Sequence, residues 1–113
     1  MPLLAGFNSG EIRSLRFLLP QLLATPEEYE AKITTAYGDL SARFLKQYPS
    51  ADIGESTLAC IRDALYGWTA LKLAEMQSAA GAPAFIYYFD HSYPAARAAG
   101  LDGFHACELP YLF

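Results

Sequence analysis

Two side chains suited to proton transfer, Glu11 and His105, stand near opposite ends of the sequence. A carboxylate that accepts a hydrogen bond from an imidazole fixes the ring's tautomer and stabilises the imidazolium. The ring can then take a proton from a serine hydroxyl. His91 is a rival base, although a polar residue just past a strand also serves to cap its exit. Gly54-Glu55-Ser56-Thr57-Leu58 begins like the nucleophile elbow G-x-S-x-G but departs from it in three ways. Leu58 stands where a glycine is needed, no strand precedes it, and it lies between Glu11 and His105, whereas elbow enzymes run serine, acid, histidine. Ser56 therefore reads as a first-turn helix residue, and no other serine has glycines at the required spacing. Cys60 and Cys107 form neither a CxxC nor a metal-ligand pattern and read as two small buried thiols. The sequence has no glycine-rich phosphate loop, no dinucleotide fingerprint and no metal-ligand cluster.

To bring Glu11 and His105 together, the chain needs elements that return to the same edge. Pro2–Gly6 is a short apolar run closed by glycine and reads as the end of a buried strand. Glu11–Leu19 reads as a short helix or turn stopped by Pro20. Thr25 as N-cap, Pro26 at the first helical position and Glu28 at N3 start a helix that should run to about Tyr37 and end at Gly38. Leu40–Gln47 is another short helix, halted ahead of Pro49. Asp52 and Glu55 form a capping box, after which Leu58, Ile61, Leu65 and Trp68 recur at helical steps and predict a core-facing stripe. This longest helix is expected over about residues 53–78, and Gly67 within it implies close packing against another element. Ala84–Phe89 is an unbroken apolar and aromatic run, as expected of a parallel strand covered on both faces. A long loop, His91 to Phe104, follows.

The pattern is α/β: two parallel strands, about residues 2–6 and 84–89, joined by several helices. In such sheets reactive groups gather beyond the carboxyl ends of the strands, where Glu11 and His105 both fall. A lone crossover cannot cover both faces of its sheet, and composition agrees. Hydrophobic residues are 53% of the 113 and charged residues only 18%, too few to clothe a small free-standing domain. The chain is expected to be part of a larger body, or to self-associate through an exposed sheet edge. The net charge of −4 and the scattered basic residues argue against nucleic acid. No apolar stretch is long enough to predict a membrane span.

Three segments carry a family resemblance. Gly6-Phe7-Asn8-Ser9-Gly10-Glu11 resembles the G-x-N-x-x-E segment of type-B carboxylesterases, with Ile12 where the family usually has glycine. His105-Ala106-Cys107-Glu108-Leu109-Pro110-Tyr111-Leu112-Phe113 resembles their H-x-x-E-[LI]-P-Y-[VL]-F, and Phe85-Ile86-Tyr87-Tyr88-Phe89-Asp90-His91 is similar to their Y-x-Y-x-F-D-H strand. The three fall in the family's order and span nearly the whole chain.

The resemblance implies that residues 1–113 are the C-terminal portion of one α/β-hydrolase catalytic domain, truncated at both ends. It makes Glu11 the triad acid and His105 the base, and Glu108 a buried structural carboxylate behind the site. A glutamate in an apolar run needs a partner, and backbone donors or an arginine are expected to hold it. It places Phe17, Leu18, Leu19, Leu22 and Leu23 near the acyl or alcohol pocket. The implied substrate is a small carboxylic ester, the implied partner the N-terminal remainder of the same hydrolase, and no metal or cofactor is called for. Without nucleophile or oxyanion hole the chain alone is expected to be inactive. The compartment stays open between cytoplasmic and secreted. A reading from another class is a non-enzymatic, hydrolase-like interaction module, which calls for Glu11 and His105 to lie well apart.

Overall fold

The computed structural model describes residues 1–112 of a mixed α/β chain with one sheet of two parallel strands. It divides into two compact units, one of Met1–Leu18 with the chain from Ile61 onward, the other of Leu19–Cys60.

In the first unit, β1 (Leu3–Asn8) pairs with β2 (Ala84–Phe89) from Leu3↔Ala84 to Asn8↔Phe89. β1 runs two residues beyond the expected end at Gly6. That glycine does not stop the strand: a Cβ there would lie 2.4 Å from the Tyr87 ring. Glycine lets the aromatic side chain of the partner strand lie across the backbone.

Helix α3 (Ile53–Arg62) continues through a π-helical turn, Asp63–Gly67, into α4 (Trp68–Ala79). The expected long helix is therefore present with one irregularity, and the division between units falls within α3, after Cys60. The core stripe is a correction. Leu65 and Trp68 are 60% and 59% exposed, and Leu58 and Ile61 are only half-buried. A π turn adds a residue to the helical repeat and rotates every side chain beyond it. Ala70 and Ala74 are the buried residues of α4 instead, and α4 lies against both strands. Gly67 provides the close packing its position implied, since a Cβ there would come within 3.2 Å of the Phe7 ring.

Within this chain β2 is left partly uncovered, with Phe85 and Tyr88 60% and 51% exposed, as a lone crossover leaves its sheet. The His91–Phe104 segment is not all loop, because Pro94 opens a short helix, α5 (Pro94–Ala98). Another, α6 (Leu109–Leu112), follows His105. The expected short helix near Glu11 is a 3₁₀ turn over Arg13–Leu18, with Phe17 and Leu18 exposed.

The second unit begins as its sequence signals direct. Thr25 Oγ1 accepts from the Glu28 N–H (3.2 Å), Pro26 takes the first position, and α1 (Pro26–Tyr37) ends at Gly38 with a φ of 52°. The Glu28 carboxylate reaches back to the Ala24 N–H (3.1 Å). A 3₁₀ turn leads to α2 (Ser41–Gln47), and Tyr37, Phe44 and Tyr48 stack in sequence. Tyr29 and Ile33 are the buried side chains of α1, and the Tyr29 hydroxyl donates to the Tyr48 carbonyl (3.1 Å). Asp52 caps α3 by accepting from the Glu55 N–H (3.0 Å).

Candidate active site

Parallel pairing sets the carboxyl ends of β1 and β2 side by side, and hydrogen bonds extend the seam past both strands. The Ser9 N–H donates to the Phe89 carbonyl (2.8 Å) and the Gly10 N–H to the Gly103 carbonyl (2.8 Å), bridging Gly10 to Phe104. Arg13 and Asp102 form an ion pair along the same seam (2.9 Å). Glu11 and His105, distant in sequence, thus emerge next to one another.

Glu11 lies in a turn closed by the Arg13 N–H and Gly10 carbonyl (2.9 Å), and its side chain is only 6% exposed. Its Oε1 accepts from the Asn8 N–H (2.9 Å), which leaves Oε2 facing His105 Nδ1 at 2.6 Å. With a carboxylate oxygen there, Nδ1 carries the ring hydrogen and Nε2 presents its lone pair. His105 occupies a turn closed by the Cys107 N–H and the Phe104 carbonyl (3.0 Å). Ala106, next in that turn, has a φ of 65°, a left-handed conformation costing a residue with a Cβ about 1–2 kcal/mol. The imidazole is 49% exposed and packs 5.8 Å from the Tyr66 ring, which the π turn presents. Among the described residues nothing is hydrogen-bonded to Nε2. This arrangement can accept a proton from a donor outside the described contacts and return it to a leaving group.

The rival base is elsewhere. His91 packs between Phe89 and Tyr111 rings and forms no pair with Glu11. Ser56 is a first-turn residue whose hydroxyl donates to the Pro49 carbonyl (2.7 Å). Ser9 accepts from the Gly103 N–H (3.3 Å), and Ser92 Oγ is buried without a partner among the described residues. Among the described residues no serine is bonded to His105, and no group of three His, Cys, Asp or Glu could hold a metal ion. No described helix is long and apolar enough to cross a membrane. Cys60 and Cys107 are free thiols, Cys107 buried and Cys60 half-buried.

Glu108 differs from expectation. It is half-buried, and among the described residues its partners are the Asn8 side-chain amide and the Tyr87 hydroxyl (3.5 Å), with neither an arginine nor a backbone donor. Sequence reasoning assigned no role to Asn8, although it is the one fully buried large side chain among the described residues.

Burial, with the charge of Glu108 and then Glu11, pushes the Cys107 thiol up from its ordinary 9.0. Burial and Glu11 raise Tyr66, burial and Glu108 raise Tyr87, and burial raises Tyr29, all from 10.0. Each group keeps its proton longer in the folded chain than in the unfolded one. The stability this supplies is whole below the ordinary values and is lost as pH rises through the raised ones. Thermal melts should therefore show a falling midpoint above about pH 9 for the thiol and about pH 10 for the phenols. A midpoint unchanged from pH 8 to about pH 11 would contradict these environments.

No protein-family model, no curated protein and no solved structure matches the chain.

Proposed function

We propose that Glu11 and His105 are the acid and base of a serine carboxylesterase of the α/β-hydrolase class, and that this chain is its C-terminal part. The observation that carries the reading is the 2.6 Å contact from Glu11 Oε2 to His105 Nδ1, at the carboxyl ends of two parallel strands. A non-enzymatic module calls for these groups to lie apart, and their hydrogen bond weighs against it.

In the proposed reaction a serine supplied by the N-terminal remainder attacks the ester carbonyl while His105 Nε2 takes its proton. His105 then hands that proton to the departing alcohol, leaving an acyl-serine. Water, deprotonated by the same nitrogen, attacks the acyl carbon; the bond to the serine oxygen breaks, that oxygen takes the proton back from His105, and the carboxylic acid leaves. Glu11 holds the ring and stabilises its positive charge. The oxyanion hole also comes from the remainder. Uncovered Leu4, Phe85, Ile86 and Tyr88 and the open sheet edges supply the contact surface.

The deciding experiment mixes the chain with a nucleophile-bearing N-terminal piece and assays a short-chain p-nitrophenyl ester. Activity is expected only in the mixture. Turnover by the purified chain alone, abolished by His105→Ala, would overturn the claim that the nucleophile lies elsewhere. The same exposed surface predicts self-association of the isolated chain. Light scattering should give a mass that rises with concentration, and a strict monomer with sharp, cooperative unfolding would contradict it.

A further inference from the structure

Asn8 ends β1 with its side chain wholly buried, and it touches both halves of the candidate site. Its backbone N–H donates to Glu11 Oε1 (2.9 Å). Its side-chain Nδ2 donates to the Phe104 carbonyl (3.0 Å) and to Glu108 Oε2, and lies 4.0 Å from Cys107 Sγ. Phe104 and Cys107 are the two ends of the turn that presents His105, and Glu108 follows directly. Acceptors at Phe104 and Glu108 fix the amide with its NH₂ end toward the turn. The other end, Oδ1, is then buried with no donor among the described residues.

That orphan decides between two explanations. Were Asn8 present only to fill space, a leucine of similar volume would do so without burying an unmatched acceptor. What leucine lacks is the grip on the histidine turn. We infer that Asn8 is the positioning residue of the Glu11–His105 pair, steering the carboxylate through its main chain and the imidazole turn through its amide. Asn8 is itself anchored, because strand pairing fixes it opposite Phe89. One rigid residue thereby sets the separation of two side chains carried on different loops. Its grip also offsets the tendency of Ala106 to relax out of its left-handed conformation, which would swing His105 away. The inference deepens the proposed function and rests on its pairing of Glu11 with His105.

The test is imidazole NMR on the full chain labelled with ¹⁵N-histidine, near neutral pH. In the unaltered chain His105 should show the Nδ1–H tautomer and a strongly downfield Nδ1 proton, with solvent-exposed His91 as internal reference. Asn8→Leu should keep the far-UV circular dichroism of the fold, lose the downfield proton, and move His105 toward the Nε2–H tautomer of a free ring. A space-filling role would change the melting midpoint and leave the tautomer alone. Retention of the His105 signature in folded Asn8→Leu overturns the positioning role while leaving the acid–base pair intact. Absence of that signature in the unaltered chain overturns both. Should Asn8→Leu fail to fold, Glu108 decides. Glu108→Gln keeps an acceptor for Nδ2 and should retain the signal, whereas Glu108→Leu removes it and should weaken the signal. Equal signals in the two overturn the inference.

Discussion

In an esterase reconstituted from this chain and a nucleophile-bearing partner, His105→Ala should cut turnover by about 10⁴-fold or more, with little change in KM. The expectation follows from where the imidazole acts. In the proposed mechanism it moves protons and does not hold the ester, so its removal should fall on kcat. Glu11→Gln should cost about 10³–10⁴-fold through a different route. Glutamine keeps the size of the side chain and can still accept the Asn8 N–H. Its amide, however, can turn an NH₂ toward Nδ1, where the carboxylate now receives a hydrogen at 2.6 Å. That favours the wrong tautomer and removes the charge that steadies the imidazolium. The two variants combined should be no worse than His105→Ala alone, because acid and base act as a unit. His91→Ala is the control and should leave turnover within about twofold, since its ring packs on Phe89 and Tyr111. A loss in His91→Ala equal to that in His105→Ala would sink the assignment of the base.

The signals that sequence carried best were local. Thr25-Pro26 fixed the start of α1 through one side-chain oxygen and one ring, and the apolar run at Ala84–Phe89 marked β2 at both ends. The long helical stripe misled because periodicity assumes an unbroken repeat. Leu58 and Ile61 precede the π turn, Trp68 follows it, and Tyr66 rather than Leu65 turns toward the site. Nothing in the spacing announces a π turn. The helix at Pro94–Ala98 was legible, since proline at the first position with three alanines following is a helix start. Pro94 and Gly100 bound so short a segment that the same residues also read as loop. Glu11 and His105 could be named from residue type, but only the parallel register of β1 and β2 brings them together. Asn8 stood in the sequence as the asparagine of the G-x-N-x-x-E segment, with no role attached to it. The role comes from contacts with Phe104 and Glu108 at the far end of the chain, and the spacing of that segment does not reveal them.

The seam between the two site loops has little slack, and Gly10 is where that can be measured. A Cβ on Gly10 would fall 2.2 Å from the Leu101 carbonyl oxygen and 3.2 Å from the Gly103 backbone. These neighbours are main chain, so no side chain can rotate away to make room. Gly10→Ala must therefore push residues 101–104 outward, and with them goes the bond from the Gly10 N–H to the Gly103 carbonyl. We expect a destabilisation of about 2–4 kcal/mol, the range for overpacking combined with a lost buried hydrogen bond. Phe104 would move too, and its carbonyl both closes the His105 turn and receives the Asn8 amide. A displacement on the order of 1 Å at that point should lower reconstituted turnover by about 10²-fold. Gly100→Ala separates crowding from backbone strain. Gly100 has a φ of 67° with nothing within 4 Å of its Cβ position, so alanine there meets strain alone, about 1 kcal/mol. Urea denaturation at one fixed protein concentration compares the two. Gly10→Ala should lose clearly more stability than Gly100→Ala, and only Gly10→Ala should also lose the His105 Nδ1 proton signal. Equal losses would mean that the loops yield easily, and that the Glu11–His105 contact does not depend on the bridge between Gly10 and Phe104.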